Sequence, residues 1–195
     1  MGGISNMTVI GGNFGIAMNG PHYFEFFEFV SGQEPAEVTG WLSDTGSPNP
    51  RGAEFQDWAG DVRVVTAGGA SLNLIVKANQ GHGLVSIYSG PAGQVIVDEL
   101  NNIVLIDERK EERRDEPSTR YSMPAEHSRR SFPAASLVDV TKRLIDDLLT
   151  DAAFPTANDG MSAVAVLTAA VQSNADDHRP VTVDDTLLST HLPIA

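Results

Sequence analysis

The chain has no cysteine among its 195 residues. That absence excludes disulfide bonds, thiolate nucleophiles and cysteine-ligated zinc. It also fits a reducing compartment, so we expect a cytoplasmic protein. Basic residues are scarce too, with 13 lysines and arginines against 26 aspartates and glutamates, for a net charge of -13. Because such a surface repels phosphate groups, we expect no binding to nucleic acid or to anionic membranes.

Several further signals are missing. No apolar run approaches the roughly 20 residues of a membrane-spanning helix, and no basic-then-apolar N-terminal segment predicts secretion. No G-x-S-x-G motif indicates a hydrolase, and no G-x-G-x-x-G motif indicates a dinucleotide site. We expect no metal site, because the five histidines are scattered without metal-ligand spacing. They are His22, His82, His127, His178 and His191.

What the sequence does contain is a series of short β-branched segments separated by turn residues. They are MTVIGG (7–12), AEVTGWLSD (36–44), DVRVVTA (61–67), ASLNLIVKA (70–78), LVSIYSG (84–90), QVIVDE (94–99), NIVLIDE (102–108) and, near the end, PVTV (180–183). The pairs Gly-Gly at 68–69 and Asn-Asn at 101–102 are favourable hairpin turns, and GPAG at 90–93 is another turn. This spacing predicts an antiparallel meander with PVTV as an edge strand.

Three segments have helical spacing. They run from about 21 to 31, with Gly32 as a C-terminal stop, from about 131 to 150, and from about 159 to 173. The charged run at 108–116 and the residues to 127 are predicted to be irregular, solvated chain. Segregated strands and helices predict an α+β fold, with a largely antiparallel open-faced sheet and helices packed on one face. We expect a single domain over 1–195, with a core at about 7–184 and a tail at 185–195.

Three stretches are together similar to one known family. They are GGNFGIAMNGPHYFEFFEFVSGQEPAEVTGW (11–41), SGPAGQVIVDE (89–99) and NDGMSAVAVLTAAVQSNADDHRPVTV (158–183). Their order and spacing resemble the C-terminal domain of the Gfo/Idh/MocA oxidoreductases, over about residues 7–184. The resemblance implies part of an NAD(P)-dependent oxidoreductase acting on a sugar, a cyclitol or a similar hydroxylated small molecule. It also implies a homo-oligomer, a dimer or tetramer, formed through the open sheet.

The family's N-terminal dinucleotide-binding domain has no counterpart in this sequence. NAD or NADP is therefore implied by the family only, and we expect no cofactor-binding site within this chain. The isolated chain is expected to be inactive. A second function stays open on the same grounds, namely a non-catalytic, sheet-dimerising module that retains the fold without the chemistry.

His22 is the leading catalytic candidate. It matches the histidine of the family's D-x-x-x-H pattern, which implies a general acid/base role, and histidine exchanges protons near neutral pH. Met18 stands where the family has the aspartate, so the resemblance departs there. Asn19 could hydrogen-bond to His22 instead, and Glu25 could orient its ring. A structural histidine and a solvated carboxylate are the alternatives for His22 and Glu25.

The other substrate-binding candidates lie in loops. Gln80 and His82, in NQGHG (79–83), could donate hydrogen bonds to sugar hydroxyls. Arg51 could bind a carboxylate or phosphate through two parallel hydrogen bonds. An ordinary turn histidine and a loop salt bridge are the alternatives. The phenylalanines at 24, 26, 27 and 29 are predicted to be mostly core.

Overall fold

A computed structural model describes residues 3–12, 14–43, 57–117, 124–150, 156–190 and 192. Within these ranges nine strands form one sheet in the order β8-β7-β6-β5-β1-β4-β3-β2-β9. The strands are β1 (Asn6–Gly11), β2 (Pro35–Leu42), β3 (Gly60–Thr66), β4 (Ser71–Val76), β5 (Leu84–Gly90), β6 (Gly93–Asp98), β7 (Ile103–Arg109), β8 (Ala125–Ser131) and β9 (Val181–Thr182). The helices are α1 (Ile16–Ser31), α2 (Leu137–Leu149) and α3 (Ala157–Ala175). The predicted α+β class and open-faced sheet are confirmed.

The strand connections follow the predicted turns. Gly69 and Asn102 have positive φ angles of 86° and 54°, as tight hairpin turns require. β5, β6 and β7 pair consecutively and antiparallel, and β9 is an edge strand on β2. The simple meander is interrupted at one place, because β1 lies between β4 and β5 and pairs parallel with β4. A strand that precedes all the others thus joins the two halves of the sheet.

Helices α1 and α3 cover one face of the sheet and build the core. Alternation on β1 and β4 buries Met7, Val9, Leu72 and Leu74 completely on this face. Their partners from the helices include Phe24, Phe27 and Val166. A hydrogen bond of 2.7 Å from Ser162 Oγ to Glu28 Oε2 links the two helices. The core therefore fixes α1 over the middle of the sheet.

The opposite face carries no helix within the described ranges. Register and alternation place seven aliphatic side chains together at the centre of this open face. They are Ile10, Ile75, Val85, Ile87, Ile96, Ile103 and Leu105. All seven are half-buried or exposed. The open face is thus apolar at its centre.

Three predicted element boundaries were wrong. α1 begins at Ile16 rather than near residue 21, so Pro21 lies inside the helix. Residues 125–131, predicted as irregular chain and the opening of a helix, form the edge strand β8. α2 begins only at Leu137, where the side chain of Ser136 caps it by accepting a hydrogen bond from Asp139 N. Its seven apolar side chains all remain exposed, at 44–80%.

The last described turn, Asp185–Ser189, lies in the segment predicted as a tail. It buries Leu187, which is 4% exposed, in the hydrophobic core. The side chain of Asp184 caps this turn by accepting a hydrogen bond of 2.9 Å from Thr186 N. Part of the tail segment therefore packs against the fold.

Candidate functional site

The start of α1 is held by a carboxylate from another part of the chain. Asp57 accepts hydrogen bonds from Ala17 N at 2.7 Å and from Met18 N at 3.1 Å, and it is only 1% exposed. Gly15 precedes the helix with φ +77°, and a Cβ there would overlap the Asp57 carboxylate. Because the first N–H groups of a helix lack intrahelical acceptors and carry partial positive charge, Asp57 both caps the helix and complements its dipole.

His22 lies in the second turn of α1 and is exposed. It is therefore outside the phenylalanine core. The side-chain amide of Asn19 donates to the carbonyl of Phe14 and so fastens the entry to the helix. In the described part of the chain no hydrogen bond joins His22 to Asn19 or to Glu25. The catalytic role of His22 stays a prediction, as do the substrate contacts predicted for its two neighbours.

Gln80 and His82 lie in the loop between β4 and β5. This loop packs on the end of β1, where Gly12 N donates to Gly83 O at 2.6 Å. His82 is exposed and Gln80 is half-buried. The loop and the start of α1 lie at the same end of the sheet, since both follow the carboxyl ends of β4 and β1. Their predicted contact with a ligand is untested, and Arg51 lies outside the described residues.

The phenylalanines of α1 divide between core and surface. Phe24 and Phe27 are 1% and 0% exposed, whereas Phe26 and Phe29 are 42% and 80% exposed. The rings of Phe26 and Phe29 stack with centroids 6.2 Å apart. Phe26 also meets the edge of Tyr88 on β5, with centroids 6.0 Å apart and planes at 80°. The exposed pair therefore belongs to a surface that α1 shares with β5.

Beside this surface is a group that the sequence analysis missed, which we call the hydroxyl–carboxylate cluster: Tyr23, Ser86, Tyr88 and Glu99. Ser86 is fully buried, and its Oγ donates to Glu99 Oε1 at 2.9 Å. Alternation on β5 places Ser86 and Tyr88 on the helix-covered face. Glu99, directly after β6, reaches the same face. The cluster thus has one wall on α1 and another on the β5–β6 hairpin.

The cluster is electrostatically coupled. Burial, and then the charge of Glu99, raise the pKa of the Tyr23 phenol far above its ordinary value. Burial also raises the pKa of Tyr88, with a smaller contribution from Glu99, while a hydrogen bond from Ser86 opposes the shift. Both phenols are therefore kept protonated next to a carboxylate. Such an arrangement can donate hydrogen bonds from the phenols and accept them at the carboxylate.

Two other kinds of site have no support in the described ranges. No group of three or more histidine and acidic side chains is placed there to hold a metal ion. None of the helices in those ranges is long and apolar enough to cross a membrane. The cluster beside α1 is therefore the candidate site that the geometry favours.

No protein-family model and no curated protein sequence matches this chain, but solved structures do. An NAD-binding oxidoreductase from Klebsiella pneumoniae is 14% identical, with a TM-score of 0.67, and the match covers 95% of this chain and 60% of that one. An aldose-aldose oxidoreductase from Caulobacter crescentus, complexed with glycerol, is 17% identical, with a TM-score of 0.63 and coverage of 93% and 56%. A super-repressor mutant of Gal80p from Saccharomyces cerevisiae is 10% identical, with a TM-score of 0.64 and coverage of 98% and 60%.

The chain has the fold of the C-terminal domain of the Gfo/Idh/MocA oxidoreductases. The resemblance inferred from three sequence stretches is thereby confirmed at the level of the fold. The chain spans 56–60% of the length of the three structures described above. The activities and ligands in the names of these structures belong to those proteins.

Proposed function

We propose that this chain is the substrate-binding and oligomerisation domain of an NAD(P)-dependent oxidoreductase acting on a sugar, a cyclitol or a similar hydroxylated small molecule. The observation that carries the proposal is the hydroxyl–carboxylate cluster, which lies against the same helix as His22. Phenol donors, a carboxylate acceptor and the exposed aromatic rings of α1 suit a ligand with many hydroxyl groups and apolar C–H faces. The fold supports the oxidoreductase class by likeness to the solved structures.

The described start of α1 does not suit the pyrophosphate of a nicotinamide cofactor. β1 is followed by a glycine-rich sequence and then by α1, an order in which a pyrophosphate can bind a helix N-terminus. Here the Asp57 carboxylate accepts the first N–H groups of α1. A phosphate at that place would face a buried negative charge. We therefore expect NAD(H) and NADP(H) to bind this chain with a dissociation constant weaker than ~10 μM.

A sugar titration followed by nuclear magnetic resonance tests the substrate-binding role. Myo-inositol or glucose should shift the amide signals of Tyr23, Ser86 and Glu99 and the imidazole signal of His22, with saturation in the millimolar range. His22→Ala should weaken this binding. His127→Ala is the matched control, because His127 is also exposed but binds Asp107 on the outer strands at 2.7 Å. Shifts scattered over the surface, or none at all, would contradict the proposal.

The oligomerisation role is supported by the apolar centre of the open face. Monomeric proteins rarely expose contiguous apolar patches of this kind. Such patches usually mark an interface with another protein chain. Two copies could bury the patch by packing face to face around a two-fold axis. Salt limits the repulsion between two acidic copies to a range of about 8 Å at physiological ionic strength.

Analytical ultracentrifugation with a pair of variants tests this role. Ile96→Asp, on the open face of β6, should convert a dimer into a folded monomer of 20.8 kDa. Val97→Asp is the control, because Val97 is the next residue on the same strand and points to the opposite face. A wild-type chain that sediments as a monomer at micromolar concentration would refute the proposed interface.

The second candidate function is a non-catalytic, sheet-dimerising module. Met18 in the position of the family's aspartate favours it, and a repressor mutant is among the structures with this fold. The two candidates make different predictions for the same two experiments. A chain that dimerises through the open face but binds no sugar would favour the module.

A further inference from the structure

Glu99 is the carboxylate of the hydroxyl–carboxylate cluster, and no cation in the described part of the chain pairs with it. Five ion pairs are formed among the described residues, and Glu99 takes part in none of them. Its Oε1 accepts from Ser86, whereas its Oε2 accepts no hydrogen bond within the described ranges. Oε2 is not fully buried, so it is open to a donor from water or from a ligand.

The position of Glu99 is fixed by the fold. Ser86 is buried in the middle of β5 and pairs with Val97 on β6, two residues before Glu99. The Ser86 hydroxyl donates to Oε1. The free oxygen is therefore held on the helix-covered face, next to the tyrosines of the cluster. Glu99 itself lies in the turn after β6, and the strand residue Ser86 anchors its carboxylate.

Within the described ranges, the surroundings of Glu99 offer it donors and rings, and no ion pair reaches it. Tyr23 and Tyr88 present phenol groups, and their rings contact Phe14 and Phe26 with centroids 5.8 and 6.0 Å apart. The charge of Glu99 raises the pKa of both phenols, which places both groups within its electrostatic reach. A ligand that enters the cluster would meet this charge in a partly water-excluded setting, where electrostatic effects are strong.

We propose that Glu99 is the specificity-determining residue of this site, accepting hydrogen bonds from the hydroxyls of an uncharged polyol and excluding analogues that carry a carboxylate or a phosphate. Hydroxyl groups donate to a carboxylate in charge-assisted hydrogen bonds. An anionic ligand instead places a like charge against Glu99, which is a repulsive element of the kind that specific sites use. The inference rests on the proposed function of the same site and adds the charge class of its substrate.

The test compares two sugars that differ at one carbon, C6, which is a neutral hydroxymethyl group in glucose and a carboxylate in glucuronate. Glucose and glucuronate share a ring and a hydroxyl pattern, but glucuronate carries a carboxylate. The full chain is titrated with each sugar by nuclear magnetic resonance, and the same titrations are repeated on Glu99→Gln. This substitution keeps the shape and one acceptor oxygen but removes the charge. The wild-type chain should bind glucose at least tenfold more tightly than glucuronate, and Glu99→Gln should bring the two affinities to within about threefold.

Two controls separate specificity from general damage. Glu126→Gln removes one charge from the exposed strand β8, far from the cluster, and should leave the affinity ratio unchanged. Ser86→Ala frees the carboxylate to move, so it should weaken glucose binding while preserving the preference for glucose. Thermal unfolding of each variant checks that the fold is intact.

The outcomes distinguish this inference from the proposed function. Equal wild-type affinities for the two sugars, or an affinity ratio that Glu99→Gln leaves unchanged, would overturn the role of Glu99 while the sugar site stands. Binding of neither sugar would overturn the proposed function and this inference together.

Discussion

Replacing Asp57 with alanine should destabilise the protein more than any exposed carboxylate replacement. The carboxylate accepts three backbone N–H groups, from Ala17 at 2.7 Å, Met18 at 3.1 Å and Trp58 at 2.7 Å. Loss of an N-cap acceptor costs about 0.5–2 kcal/mol. Each buried donor left without an acceptor costs about 1–3 kcal/mol. Taking the lower figure for each of the three donors, we expect a total loss of about 3 kcal/mol in the free energy of unfolding.

Two further substitutions separate the contributions. Asp57→Asn keeps an acceptor oxygen but loses the charge that complements the helix dipole, so it should cost about 1 kcal/mol. Asp61→Ala is the matched control. Asp61 forms a partly exposed ion pair with Lys77 at 2.9 Å, and such pairs contribute about 1 kcal/mol or less.

Urea unfolding at one fixed protein concentration provides the measurement, with tryptophan fluorescence and circular dichroism as two probes of the same transition. A fixed concentration is needed because self-association would shift the midpoint. The m-value should stay constant, which shows that the change lies in stability rather than in the surface exposed on unfolding. If Asp57→Ala and Asp61→Ala lose the same free energy, the capping argument is refuted.

Two other predictions follow from the same geometry. Gly15→Ala should destabilise the protein at least twice as much as Gly69→Ala, by thermal unfolding, since both glycines have positive φ but only the first faces a neighbouring side chain. Burial, and then a neighbouring carboxylate, raise the pKa of Tyr23, and burial is also the main cause that raises the pKa of Tyr88. The fold thus holds both phenols protonated where the unfolded chain begins to ionise, near pH 10. Stability should fall as the pH rises above that value, and ultraviolet absorbance should show these two phenols ionising at higher pH in the folded chain than in the unfolded chain.

The parts of the fold that could be predicted from the sequence are those with local signals. The hairpin turns at Gly69 and Asn102 need positive φ, and the residues that tolerate it stand at those places. Gly32 ends α1 in the left-handed conformation, with φ 65°, as predicted. The β-branched alternation of β3 to β7 identified their segments because it needs no knowledge of the neighbouring strand.

The parts that were missed depend on distant residues or on weak patterns. The start of α1 is set by Asp57, which lies 40 residues away from its first partner. β8 has the sequence AEHSRRS, which does not alternate between apolar and polar residues. An edge strand with two exposed faces buries neither face, so it does not need such alternation. The β1–β4 pairing is parallel and joins strands that are far apart in the sequence, so no hairpin turn in the sequence indicates it.

The candidate site shows the same division between local and non-local information. His22 was identified through a resemblance, and its exposure agrees with an accessible position. Ser86 and Glu99 were not identified, because their meeting depends on the β5–β6 register. One signal was present, since Ser86 and Tyr88 share a strand face at period two. The shared face indicates a possible site only when it is known that α1 covers that face.

The neighbours His22 and Tyr23 occupy different environments on α1, and this difference bears on which of them could move a proton. Tyr23 is half-buried against Phe14, and burial, followed by the charge of Glu99, raises the pKa of its phenol. A phenol held protonated in this way donates a hydrogen bond but does not accept a proton near neutral pH. In an oxidoreductase of the proposed kind, we therefore propose that His22 removes the proton and that Tyr23 orients the ligand. Met18, in the position of the family's aspartate, cannot orient the imidazole, and the carboxylate of the cluster is Glu99, which contacts Ser86.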